Sequence, residues 1–173
     1  MAIEDNTHAI LLDPTNTAAY NNRGKAYSEK GDYDRAIEDY THAIRLKPDH
    51  AVAYYSRGDS YRQKKDYDRA IADFDQAILL DPNYTAAYYN RGIAYANKED
   101  YDRAIEDYTQ AIRLNPNYAE AYKGQAEAYN NRGYMYSEKG DYDQAIADYE
   151  AALRIDPNNA YARENLEKAR RAR

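Results

Sequence analysis

Small and aromatic residues recur along this chain with a helical beat. Tyr20, Gly24 and Tyr27 fall at spacings of four and three, Gly31 and Asp32 break the pattern, and Ala36, Ile37, Tyr40, Ala43 and Ile44 give a second amphipathic stripe that Pro48 ends. That pattern predicts a hairpin of two helices. It then repeats: Gly24, Gly58 and Gly92 are 34 residues apart and Gly133 follows 41 later, while Pro14, Pro48, Pro82, Pro116 and Pro157 keep the same spacings. The units are 17–50, 51–84 and 85–118, then 119–159, in which the regular frame resumes at Ala126 after seven added residues. Residues 1–16 read as a lone second helix and 160–173 as a lone first helix, giving ten helices in one repeat domain.

The seven added residues open the stretch 119–136. Seven residues at about 100° each fall roughly 20° short of two full turns, so a helix absorbs them and keeps nearly the same face inward. Tyr122, Ala126, Tyr129, Gly133 and Tyr136 continue one stripe, and both the uninterrupted and the shifted frame find acceptable residues. This predicts one helix of about 20 residues, about 30 Å long, whose two halves pack in different registers. The last helices would then be displaced by about 10 Å, leaving apolar surface uncovered at the step. Tyr122, Lys123, Ala126 and Tyr129 are candidates for self-association there, or for holding a partner helix. The competing reading is a long loop over 115–125.

The chain resembles the tetratricopeptide repeat family, whose signature places aromatic residues at unit positions 4, 11 and 24, small residues at 8, 20 and 27, and proline at 32. Tyr20, Gly24, Tyr27, Ala36, Tyr40, Ala43 and Pro48 fill those positions in the first unit. The other three units match as fully, with Phe74 the one phenylalanine. The resemblance implies an all-α fold, a right-handed superhelical solenoid of antiparallel helix pairs. Small residues let the helices approach, rings fill the gaps, and proline stops the second helix. At the ends the pattern is polar: Asn6 stands at a ring position, and Arg163, Glu167 and Arg170 replace aromatic, glycine and aromatic, as solubilising caps would. Those replacements argue against head-to-tail filaments. Arg23, Arg57, Arg91 and Arg132 recur together with Asp39, Asp73, Asp107 and Asp148, which predicts ion pairs either within a unit or between neighbouring units.

Composition narrows the chemistry. A formal net charge of −6 and the lack of clustered Lys and Arg before the last residues argue against nucleic acid. With no cysteine there is no disulfide, thiolate metal site or Cys nucleophile. No window is apolar enough to span a membrane and no basic, apolar leader is seen, so a soluble, cytoplasmic protein is expected. The count of 22 Tyr against one Phe suggests many rings whose hydroxyls still reach water. His8 and His42 are copies of one surface position rather than a metal pair, and the carboxylates recur in every unit, so neither a metal, a cofactor nor a catalytic pair is expected. Arg57, Gly58, Asp59 and Ser60 spell an adhesion motif, but inside a predicted helix. Asn83, Tyr84 and Thr85 form a glycosylation sequon that reads as an inter-unit turn.

The resemblance also implies a concave groove lined by the first helices. Carried onto this sequence, the groove positions are Asn21, Asn22, Lys25 and Glu29; Tyr55, Ser56, Asp59 and Arg62; Tyr89, Asn90, Ile93 and Asn97; and Glu127, Asn130, Asn131, Tyr134 and Ser137. The asparagines suit a peptide backbone, and Tyr55 and Tyr89 are rings the packing signature does not use. The clamp that some members use for acidic chaperone tails is missing: its slots hold Asn21, Lys25, Ser56, Ala86 and Asn90 in one frame. One unit later they hold Tyr55, Asp59, Asn90, Glu127 and Asn131. The expectation is a non-enzymatic scaffold for a peptide or protein of basic or mixed charge. The alternative is a natural or engineered assembly protein that forms homo-oligomers through 119–136.

Overall fold

The computed structural model describes residues 2–173; Met1, assigned to the lone second helix at the N-terminus, lies outside the described residues. The described chain is all-α: α1 (Ala2–Leu12), α2 (Thr17–Glu29), α3 (Tyr33–Leu46), α4 (Ala51–Gln63), α5 (Tyr67–Leu80), α6 (Thr85–Asn97), α7 (Tyr101–Leu114), α8 (Ala119–Glu138), α9 (Tyr142–Ile155) and α10 (Ala160–Ala172). No described helix is long and apolar enough to cross a membrane.

Local chemistry sets the helix ends. Asp32, Asp66 and Asp100 each cap a helix by accepting from the backbone N–H of Arg35, Arg69 and Arg103. The same arginines donate Nε back to the capping carboxylates at 2.6 Å and lie over Tyr27, Tyr61 and Tyr95. In the fourth unit Gln144 replaces the arginine, and Asp141 makes no side-chain cap bond. At the other end, Lys47, Asp81, Asn115 and Asp156 close the second helices immediately before proline, which cannot continue them.

The chain forms two compact units, Met1–Asn90 and Arg91–Arg173, divided within α6. In the first, α1 to α5 each pack on the next; in the second, α7 to α10 do the same. Ala43, Ile44 and Ala53, with Tyr20 and Tyr54 against them, form a core cluster in the first unit. Ala145, Ile146, Tyr149, Leu166 and Ala169 form one in the second, covered by Tyr136, Tyr142 and Leu153. Helix approach is close: a Cβ at Gly24 would stand 2.9 Å from the Tyr40 ring, and one at Gly133 would stand 2.9 Å from Tyr149.

The repeated arginines pair within their own unit. Arg23, Arg57, Arg91 and Arg132 each make a two-pronged bond to Asp39, Asp73, Asp107 and Asp148, with Nε to Oδ2 at 2.8 Å in all four. The link to the preceding unit is separate: Arg23 and Arg57 donate Nη1 to the hydroxyls of Thr7 and Thr41 at 3.2 and 3.0 Å.

Candidate functional site

Two surfaces carry the residues singled out by sequence. On α2, Asn22 and Lys25 are exposed. Asn21 is half-buried, with Nδ2 bonded to Thr17 O at 3.2 Å and 3.0 Å from His50 Nδ1, while its Oδ1 is buried without a partner. Burial, more than the nearby Lys47, holds the His50 imidazole below its usual pKa.

On α4 and α6 the placement is more internal. The Tyr55 ring packs on Phe74 and Tyr84, with centroids at 5.9 and 4.8 Å, and its hydroxyl accepts from Asn90 Nδ2 at 3.0 Å. Burial pushes the Tyr55 phenol up to about 12. Asn90 is buried and also donates to Ala86 O at 3.0 Å, so these two residues knit the first unit together. Ser56 and Tyr89 are half-buried, as is Asp59, which accepts from Arg62 Nη2 at 2.6 Å. Ile93 is half-buried, and Asn97 Nδ2 donates to its carbonyl at 2.8 Å. The adhesion tripeptide is locked in α4, with Gly58 buried, Ser60 fully buried and Arg57 held by Asp73. The sequon forms a turn in which Thr85 N–H donates to Asn83 O at 2.7 Å.

On α8, Glu127, Asn131 and Tyr134 are exposed. Asn130 is half-buried with an unpartnered Oδ1, and Ser137 Oγ lies 3.3 Å from the Tyr149 hydroxyl. Tyr122 and Lys123 are exposed, whereas Ala126 is buried and Tyr129 is half-buried beneath the Arg132 guanidinium.

The helix α8 is 20 residues long and begins at Ala119, so the break before it is a short turn and not a loop over 115–125. Its two halves answer to two registers. In the first half, Gln125 Nε2 donates to Thr109 at 2.7 Å across the same separation of 16 residues that joins Arg23 to Thr7. Gly124 there meets the Tyr108 ring, where a Cβ would stand 2.9 Å from Cζ. In the second half, Arg132 and Gly133 meet Asp148 and Tyr149 as in every other unit. Arg132 belongs to both, because its Nη1 also reaches Asp102 at 2.5 Å. Beyond α7 the helix runs on, and a cleft of about 310 Å³ opens between residues 98–102 and Arg132, Met135, Tyr136 and Lys139 of α8. The sequence foresaw a long helix in two registers; a cleft with three cations on its walls it did not show.

These features define a class before a family: an all-α repeat protein of packed helix hairpins, with polar and aromatic side chains on its first helices. The chain belongs to the tetratricopeptide repeat family. One model of that repeat matches residues 85–118 and 126–159, and a second matches residues 21–88; residues 119–125 fall between matches. Among solved structures, the crystal structure of MamA protein is 30% identical, with a TM-score of 0.75 over 92% of this chain and 83% of that one. The first TPR of Spaghetti (RPAP3), solved bound to the HSP90 peptide SRMEEVD, is 29% identical at a TM-score of 0.64, over 65% of this chain and 89% of its own. YrrB, described as a TPR protein with an unusual peptide-binding site, shares the fold at 23% identity and a TM-score of 0.69, over 96% of this chain and 100% of that one. Curated protein sequences give no match. The fold class is the α-α superhelix of the family, and the family is a protein-interaction scaffold.

Proposed function

We propose that this chain is a non-enzymatic scaffold that binds a peptide or protein segment through its first helices. The observation that carries this is the set of exposed side chains at matching positions of two such helices: Asn22 and Lys25 on α2, Asn131 and Tyr134 on α8. Asp59 with Arg62 lies on the same face of α4, and Tyr55 and Asn90 hold its floor. Peptide binding by the RPAP3 and YrrB domains supports the reading, although the acidic-tail clamp positions are not filled here. A segment of basic or mixed charge suits a chain of net charge −6.

The test is a peptide selected by display against the whole chain, its affinity then followed by fluorescence anisotropy. Replacing Lys25 by Glu and Tyr134 by Ala together is expected to weaken binding by about tenfold or more, roughly 1.4 kcal/mol, with the helical circular dichroism unchanged. Unchanged affinity would overturn the assignment of this face.

A second reading is supported by Tyr122, an exposed ring on the first turns of α8. Self-association through residues 119–136 would then raise the mass seen by light scattering with concentration, and Tyr122→Ser would return it to that of a single chain.

A further inference from the structure

A ladder of ion pairs runs along the hairpin-loop edge of the repeats. The second residue of a second helix, always aspartate, bonds a cation 30 residues later: Asp34 to Lys64 Nζ, Asp102 to Arg132 Nη1, and Asp143 to Arg173 Nε. By its place in its own repeat, Lys139 should be a rung, since it directly precedes the loop residue Gly140 as Lys30 precedes Gly31 and Lys64 precedes Lys65. The seven extra residues of α8 move Arg132 into that rung, and Lys139 stands two turns, about 10 Å, farther along. Its ammonium is exposed and makes no hydrogen bond or ion pair among the described residues.

The overhang also creates a wall. Arg132, Met135, Tyr136 and Lys139 are spaced i, i+3, i+4, i+7, one stripe of α8, facing the cleft over the start of α7. The matching cleft in the first unit is lined by residues 30–34 and Lys64 alone, with the Asp34–Lys64 pair in its lining. The step therefore adds a thioether and a ring to the lining and sets one cation apart. Of the lining carboxylates, Asp100 is tied to Arg103 and Asp102 to Arg132, while Glu99 lies exposed in the hairpin loop; Lys139 is the lining cation whose ammonium holds no bond.

We propose that this cleft docks an acidic helical segment of a partner protein, with a carboxylate on Lys139 and an apolar side chain three or four residues away lying on Met135 and Tyr136. The spacing follows from Tyr136 and Lys139, which are i and i+3 neighbours and so about 5–6 Å apart at Cβ. The repeat itself answers a lysine at this position with an acid in the first turn of a helix. The site is distinct from the face of the first helices, and neither reading depends on the other.

The probe is a labelled alanine-rich helical peptide carrying a Glu–Leu pair at i, i+3, titrated with the whole chain in low salt. Binding is expected to fall about tenfold or more with Lys139→Glu, and equally when the peptide carries Gln for Glu. The Lys139→Glu chain should in turn prefer a Lys–Leu peptide, an exchange that misfolding cannot produce. Lys25→Glu, on the other face, is expected to leave binding unchanged. Equal affinity of the wild-type and Lys139→Glu chains, absence of binding at about millimolar peptide, or a loss on Lys25→Glu as large as on Lys139→Glu would each overturn the proposal.

Discussion

The hairpin loops show how a single backbone angle distributes cost among otherwise alike repeats. Gly31 and Gly140 take φ values of 77° and 82°, which glycine adopts without strain, whereas Lys65 and Glu99 hold the same turn at 61° with a side chain present. A left-handed residue other than glycine costs roughly 1–2 kcal/mol, against roughly 0.5–1 kcal/mol for the extra freedom glycine gives the unfolded chain. Lys65→Gly is therefore expected to stabilise the protein by about 0.5–1 kcal/mol in urea unfolding.

Ion pairs at the same scale divide by burial. Asp73 is buried beside Arg57, and desolvation raises its pKa despite the bonds from Arg57. Removing the arginine strands that carboxylate, so Arg57→Met is expected to cost about 2–3 kcal/mol, less than a fully buried pair because part of the guanidinium is exposed. Arg57→Met with Asp73→Leu should recover most of the loss. The half-buried caps have the opposite linkage: the bonds from Arg35, Arg69 and Arg103 lower Asp32, Asp66 and Asp100, so their stabilisation holds above the unfolded value and fades as pH falls through the folded one. His50 adds a milder window. Its pKa is lowered in the fold, so the unfolded chain binds the proton first, and stability is lost as pH falls below about 6.5. His50→Ala is expected to flatten the difference in urea midpoint between about pH 7.5 and about pH 5.5.

At the scale of elements, α8 separates what the sequence could tell from what it could not. The pairing of arginine with aspartate was legible because both recur at fixed places in every unit, and a hairpin brings only a few positions together. The double register was legible because Tyr122, Ala126 and Tyr129 satisfy one frame while Tyr129, Gly133 and Tyr136 satisfy the other. The bond from Asn90 to Tyr55 was not, since it joins groove positions of successive units and turns two expected contact residues into packing. Nor was the isolation of Lys139, which needs the rung between Asp34 and Lys64 to be seen first. The close approach along α8 makes its own prediction. Alanine at Gly133 would gain about 1 kcal/mol of helix propensity. Its Cβ would, however, stand 2.9 Å from the buried Tyr149 ring and 3.2 Å from the Ala145 carbonyl, a backbone atom that cannot swing aside. Overpacking costs typically 1–3 kcal/mol, so Gly133→Ala is expected to lower stability by about 1 kcal/mol in thermal unfolding.

Across the whole molecule, stability in a stacked array is close to a sum of repeat and neighbour terms, so the two ends matter according to what each covers. They cover unequal amounts. The helix α1 has no buried residue, and Asn6 turns its amide onto its own Ala2 carbonyl at 2.6 Å instead of into a neighbour. The helix α10 buries Ala162, Leu166 and Ala169, and Leu166 and Ala169 complete the cluster around Ile146 and Tyr149. Removing residues 160–173 would return those groups to water and take away Arg173, the partner of Asp143. Full burial of a leucine side chain is worth about 1.5–3 kcal/mol, so this truncation is expected to cost at least about 2 kcal/mol. Removing residues 1–12 should cost well under that, because Asn16 still caps α2 and Arg23 loses only the Thr7 hydroxyl and keeps Asp39. Hydrogen exchange on the intact chain gives the same comparison without truncation: amides of α1 should exchange faster than those of α10, and α9, which buries six residues, should be slower than either. Equal protection of α1 and α9 would mean that the chain unfolds only as a whole, and that the additive picture fails.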